Sequence, residues 1–135
     1  MEIKSNRHSC YKLEYHLVVV IKYRKKLIND EIKNDLIDKT KYLFEDKWNC
    51  EIININTDED HIHILFSAPP QICLSHLINN YKTVTSRTIR KNHTEYLKQF
   101  YYDNKLFWSD SYYIGSISDT TEEIVNTYIN NQGKK

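Results

Sequence analysis

The order of patterns along this chain predicts an α+β domain of the ferredoxin-like (RRM-like) class, a βαββαβ sheet with helices on one face and a further C-terminal helix. Three observations carry that prediction. Apolar residues alternate at period two over residues 10–23. Two amphipathic helical stretches, 29–47 and 73–92, enclose two strand-like segments joined by a tight acidic turn. An aromatic, strand-like segment over 106–117 precedes a capped helix.

Cys10 to Tyr23 reads as the first strand. Tyr11, Leu13, Tyr15, Leu17, Val19 and Ile21 fall on one face. Val18 and Val20 are apolar on the other, so a central strand covered on both sides is expected at that end. His16 shares the mixed face and reads as a packed or solvated histidine. Lys22-Tyr23-Arg24-Lys25-Lys26 follows, a basic run with an aromatic in it. It suits either a solvated turn or a contact to a phosphate backbone and a stacked base.

Asn29 or Asp30 can cap a helix running to about Lys47. Ile32, Leu36, Ile37, Leu43 and Phe44 form its apolar stripe. Trp48 to Thr57 reads as the second strand and His61 to Ser67 as the third, the two forming an antiparallel hairpin through Asp58-Glu59-Asp60. Ala68-Pro69-Pro70 stops the third strand. Within it, alternation places His61 and His63 on one face, with Ile62 and Ile64 toward the core. Two imidazoles side by side after an acidic turn can hold one divalent metal ion. Two solvated histidines on a half-buried strand fit the same spacing.

Cys73 to about Asn92 reads as the second helix, on Leu74, Leu77, Ile78, Tyr81 and Ile89. Its polar face mixes Lys82, Arg87, Arg90 and Lys91 with hydroxyl residues, which suits phosphate oxygens or simply water. Glu95 to Lys105 fits a short helix or a loop. Leu106 to Ile117 holds the fourth strand, where Gly115 signals a bulge or a close backbone approach. Thr120 with Glu123 forms a capping box ahead of a helix from Glu122 to about Asn131. Its stripe is narrow: Ile124, Val125, Tyr128 and Ile129. Tyr128 and Gln132 share a face if the helix extends that far. Alone, Tyr128 reads as a packed aromatic.

The 135 residues form one domain, with the ferredoxin-like core over 10–117 and the tyrosine-bearing helix over 120–132. There is no apolar run of the ~18 residues a membrane helix needs, and the start of the chain lacks a signal-peptide segment. Three cysteines, widely spaced, read as reduced thiols of a cytoplasmic protein, without a disulfide framework or zinc knuckle. A formal net charge of +1 leaves nucleic-acid binding to a local patch.

Four segments together resemble a family. They are Tyr15 to Arg24, Asp60 to Ser67 with Pro69-Pro70 behind it, Phe107 to Ser116, and Tyr128-Ile129-Asn130-Asn131-Gln132. In this order they resemble the single-tyrosine transposases of the insertion-sequence 200/605 type, which are HUH (His-hydrophobic-His) endonucleases, over roughly Tyr11 to Gln132. The resemblance implies that His61 and His63 bind Mg²⁺ or Mn²⁺ with Gln132 as third protein ligand, and that Tyr128 is the nucleophile. Asp60 would at most support the ligands. It also implies cleavage and rejoining of single-stranded DNA with hairpins near the element ends, through a 5′-phosphotyrosine. A homodimer is implied, in which the last helix of one subunit can bring Tyr128 to the metal site of the other. Lys22, Arg24, Lys25, Lys26, Lys82, Arg87, Arg90 and Lys91 are then candidates for DNA backbone contacts. Residues 92–106 show no family feature.

Other classes fit less well. A histidine-triad nucleotide hydrolase needs a third alternating histidine, where the chain has Leu65. A two-histidine phosphodiesterase needs two separate His-x-Thr/Ser motifs, which neither His61 nor His63 begins. A non-catalytic ferredoxin-like module that binds nucleic acid would use the basic and aromatic surface but leave Tyr128 and Gln132 without a role.

Overall fold

The computed structural model describes residues 4–5 and 10–133, with side chains from residue 11 onward. Its centre is a four-stranded antiparallel sheet made of β3 (Glu14–Val20), β4 (Glu51–Asp58), β5 (His61–Ser67) and β6 (Tyr113–Ser116). The spatial order is β4-β5-β3-β6. With α1 (Asp30–Lys41) between β3 and β4, and α2 (Leu74–Asn92) between β5 and β6, this is the split βαβ arrangement expected of the ferredoxin-like class. A two-stranded ribbon, β1 (Lys4–Ser5) with β2 (Cys10–Tyr11), precedes it, and the short α3 (Thr94–Leu97) follows α2. The last helix, α4, spans Glu122–Asn131.

The hydrophobic pattern sets the layers. Leu17, Val19 and Ile21 from the first strand region meet Ile62, Ile64 and Phe66 of β5 beneath α1 and α2, whose Ile32, Leu36, Leu77, Ile78, Tyr81 and Ile89 are buried with them. Val18 and Val20 face the other way and are covered by Val125 and Ile129 of α4. The expectation of a strand covered on both sides therefore holds, and α4 is the second cover.

Several boundaries differ from the sequence reading. The first strand is two pieces, because β2 pairs with β1 while β3 starts at Glu14. At the other end, Tyr23 and Arg24 take left-handed backbone angles (φ 60° and 52°), which turn the chain out of the sheet. The first helix is capped by Asn29, whose side chain accepts from the Ile32 amide at 2.9 Å; it widens into a π-helical turn over Tyr42–Lys47. In β4 the register slips between Ile52 and Asn54. This bulge lets Ile52 and Ile55 pair with Phe66 and Ile64 on the core side, while Asn56 and Asp58 come opposite His63 and His61.

The expected fourth strand is broken. Trp108 bridges Ile21, residues 109–112 form a loop, and only Tyr113–Ser116 continues as β6. Lys82 holds this loop, its Nζ donating to the Ser109 and Ser111 carbonyls at 2.8 and 3.4 Å. The cap of α4 is Thr121, which accepts from the Ile124 amide at 3.1 Å, not Thr120 in a box with Glu123. Thr120 instead bonds the Tyr113 hydroxyl at 2.9 Å, directly over Gly115. A Cβ at Gly115 would lie 2.3 Å from that hydroxyl and 2.5 Å from Thr120 Oγ1, so the close approach expected of this glycine is met.

Candidate functional site

His61 and His63 stand on the sheet face that α4 covers, beside Val20 and Val18 of β3 respectively. A cleft of about 450 Å³ opens there between β4, β5 and α4, lined by His16, Asn56, Asp58, His61, His63 and Asn126 among others. Each imidazole of the pair is held by a neighbour. His61 Nδ1 lies 2.8 Å from Asp60 Oδ1, and the second Asp60 oxygen accepts from Arg24 Nε at 3.3 Å. His63 Nε2 lies 2.7 Å from His16 Nδ1.

The electrostatics follow from burial and these partners. Burial pulls the His63 imidazole down to about 4, and the neighbouring His16 and His61 add to the shift. It is therefore neutral at pH 7 and retains a lone pair for a cation. Burial likewise lowers His16. Burial pushes the Asp60 carboxyl up, but the bonds and charges of His61 and Arg24 outweigh it and hold Asp60 below its ordinary value. Among the described residues, Asp58, Asp60 and His61 form the one grouping of three such side chains whose ligand atoms lie within 4.8 Å of one another. Imidazole nitrogens with adjacent carboxylate oxygens suit a Mn²⁺- or Mg²⁺-like cation.

Tyr128 and Gln132 sit elsewhere. Val125 and Ile129 seat α4 on the sheet, so the remaining side chains fall on two flanks. Asn126 and Asn130 face the β4–β5 side, lining a cleft with Asp58, Asp60 and His61. Tyr128 faces β6, where its ring lies 5.9 Å from that of Tyr113. Its hydroxyl is 2.8 Å from Ser111 Oγ, and the Ser111 hydroxyl donates to Gln132 Oε1 at 3.2 Å. Gln132 caps the end of α4 in an extended conformation, yet shares the Ser111 contact with Tyr128. Burial raises the Tyr128 phenol against the hydrogen bonds from Ser111 and Ser109. The sequence thus brings His61 with His63 and Tyr128 with Gln132, but the two pairs lie on opposite flanks of α4 within this chain.

The loop that holds Tyr128 is itself held. Lys82 binds two of its carbonyls, Lys22 pairs with Asp110 at 3.1 Å, and the Ser109 amide donates to Val20 O at 2.8 Å. Of the eight basic candidates, Lys22, Arg24, Lys82 and Arg90 are therefore engaged inside the molecule, Arg90 with Ser86 and the Asn104 carbonyl. Lys25, Lys26, Arg87 and Lys91 are exposed. Arg87 and Lys91 belong to α2, on the other side of the sheet from the histidine pair.

Two contributors carry little or no functional signal in the sequence. Ser111 had no signal beyond its place in the aromatic segment. His16 had one, its position on the same strand face as Val18 and Val20, which the antiparallel pairing of β3 with β5 places beside His63.

Comparison with known proteins gives this geometry a family. A family model described as "Transposase IS200 like" matches residues 9–132. The ISDra2 transposase TnpA of Deinococcus radiodurans is 28% identical over 135 residues, covering 100% of this chain and 94% of the relative. The transposase for insertion sequence element IS200 of Salmonella typhimurium is 29% identical over 129 residues, covering 96% and 82%. A 1.90 Å crystal structure from Deinococcus radiodurans R1 superposes with a TM-score of 0.87 at 26% identity, over 98% of this chain and 100% of that one. At the level of fold alone, a REP-associated tyrosine transposase bound to a REP hairpin gives a TM-score of 0.59 at 11% identity, over 93% of this chain and 67% of that one. With nearly all of its length matched by the family model, and with the fold in agreement, this chain belongs to the family of IS200-like transposases.

Proposed function

We propose that this transposase cleaves and rejoins single-stranded DNA at the ends of its element, with Tyr128 as the nucleophile and His61 and His63 as the cation-binding pair. The observation that carries the reading is the histidine pair itself. Two imidazoles share one strand face at a cleft, one fixed by Asp60 and the other by His16, with a tyrosine-bearing helix lying across the same face.

In this reading His61, His63 and Gln132 would hold Mg²⁺ or Mn²⁺, and Asp58 stands beside His61 as a further oxygen donor. Such an ion, when bound, neutralises charge on the non-bridging phosphate oxygens. The chain supplies the rest. Tyr128 Oη forms a bond to phosphorus as the bond from phosphorus to the 3′ oxygen breaks. The phenolic proton is lost and the leaving 3′ oxygen gains one, which yields a 5′-phosphotyrosine and a free 3′-hydroxyl. The covalent link conserves the phosphodiester, so a later attack by a 3′-hydroxyl reseals DNA and returns the phenol without ATP. Burial favours the protonated phenol at rest, so proton loss belongs to the attack itself.

The partner is single-stranded DNA with a hairpin, as the REP hairpin of the fold relative suggests by analogy. Arg24 and the exposed Lys26 line the cleft beside His61, and the exposed Lys25 and half-exposed Tyr23 ring adjoin them in sequence, so these are the candidates for a strand entering there. The working form is a homodimer acting from the cytoplasm. In it Tyr128 and Gln132 serve the histidine pair of the other subunit. The flank they occupy, toward the β6 edge and away from His61 and His63, supports exchange between subunits.

Incubation with single-stranded DNA carrying an element end and Mn²⁺, followed by a denaturing gel, tests the reading. A covalent protein–DNA adduct is expected, and it should disappear in Tyr128→Phe. No adduct with any element end, or one that survives Tyr128→Phe, removes Tyr128 as the nucleophile.

A further inference from the structure

We propose that His16 is a positioning residue for His63: its Nδ1 accepts the His63 Nε2 proton and so fixes the His63 ring with its Nδ1 lone pair open to a divalent cation. The inference rests on the reading of His61 and His63 as a cation-binding pair, and extends it to a residue outside the His-hydrophobic-His motif.

The geometry is specific. His16 lies on β3 and His63 on β5, where the direct partner of His63 is Val18 and that of His16 is Leu65. The two histidines are therefore diagonal neighbours on one sheet face, within reach for side chains of this size. Their nitrogens are 2.7 Å apart and their ring centroids 4.9 Å apart at a tilt of 39°. A neutral imidazole offers one donor and one acceptor nitrogen, so this contact commits Nε2 of His63 and determines what its Nδ1 can do. If Nε2 carries the proton, Nδ1 is a bare lone pair.

The same logic operates at His61, whose Nδ1 is committed to the Asp60 carboxylate and whose Nε2 is left open. Each histidine of the pair thus has one ring nitrogen held by the protein, as ligating histidines generally do. The difference lies in the holder: a carboxylate behind His61, a third imidazole behind His63. His16 lines the 450 Å³ cleft together with both.

The test uses the full chain with Mn²⁺ as the probe, and reads binding and tautomer without any DNA. Long-range ¹H–¹⁵N correlation spectra of the metal-free protein should show His63 as the Nε2–H tautomer. His16→Leu should lose that assignment and bind Mn²⁺, measured by electron paramagnetic resonance titration, about 10- to 100-fold more weakly. His16→Asn keeps an acceptor in place and should recover a substantial part of the affinity. A circular dichroism melt of each variant separates a lost fold from a lost contact. An Nδ1–H tautomer for His63 overturns the proposal. So does a His16→Leu variant that folds and binds Mn²⁺ as well as the parent or better. If the parent binds Mn²⁺ and His61→Ala weakens it while His16→Leu does not, this inference alone fails. A parent without Mn²⁺ affinity, or one whose affinity His61→Ala leaves unchanged, overturns the cation-pair reading and this inference with it.

Discussion

At the scale of single residues, each imidazole of the pair is held by a neighbouring side chain. Asp60 binds His61 Nδ1 and is itself anchored by Arg24. Asp60→Asn should reduce Mn²⁺ affinity by about 10- to 100-fold while the fold persists, a change that titration calorimetry can read. His61→Ala should abolish DNA cleavage and leave hairpin binding largely intact in a gel-shift assay; loss of both would make the histidine structural. The depressed pKa of His63 gives a pH dependence with a definite sign. Between about 4 and the unfolded value of 6.5, the unfolded chain binds a proton at this position that the folded chain refuses. Stability should therefore fall as pH drops through that window, with no further loss from this residue below it. In metal-free denaturant melts, His63→Gln should flatten this part of the profile; an unchanged profile would assign the effect to other groups. His61 and His63 were legible in the sequence because a strand repeats every two residues. Their partners were not equally so. Asp60 is adjacent, but His16 is 47 positions away, and only the register of β3 against β5 brings it near.

Of the helices α1, α2 and α4, α4 buries the fewest residues. Val125 and Ile129 are the residues of it that are buried, against Val18 and Val20. Ile129→Ala should cost about 2 kcal/mol and raise hydrogen exchange across α4 well before β3 and β5 respond. Uniform loss of protection across sheet and helix together would contradict a separable α4. Gly115→Ala should also destabilise, by about 1–3 kcal/mol, since the new methyl group displaces the Tyr113–Thr120 contact that leads into the helix. Thermal melts of the variant check it. The helices and β5 were readable because their apolar spacing and caps are local: Asn29 caps α1 and Glu122–Asn131 is the helix expected. What was not readable depends on distant partners. The slip at Ile52/Asn54 needs β5 beside it to have meaning. In the break after Trp108, two carbonyls are taken by Lys82 of α2, a partner far away in sequence. Thr120 could cap a helix as well as Thr121 by sequence, and the Tyr113 hydroxyl decides between them.

For the whole molecule, the sheet has two free edges among the described strands, β4 on one side and β6 on the other. The histidine pair lies on β5, next to β4, whereas Tyr128 and Gln132 lean toward β6 and meet at Ser111. In the proposed function, a second copy of the chain would bring the two groups together. No helix among the described residues is long and apolar enough to cross a membrane. The most direct test of this arrangement mixes two inactive variants, His61→Ala and Tyr128→Phe, refolded together and assayed for covalent DNA adducts with Mn²⁺. If Tyr128 of one subunit serves the histidines of the other, the mixed dimer contains one intact site and adduct formation returns on the His61→Ala chain. Activity that stays absent, with mixed dimers demonstrated by mass, would contradict the account.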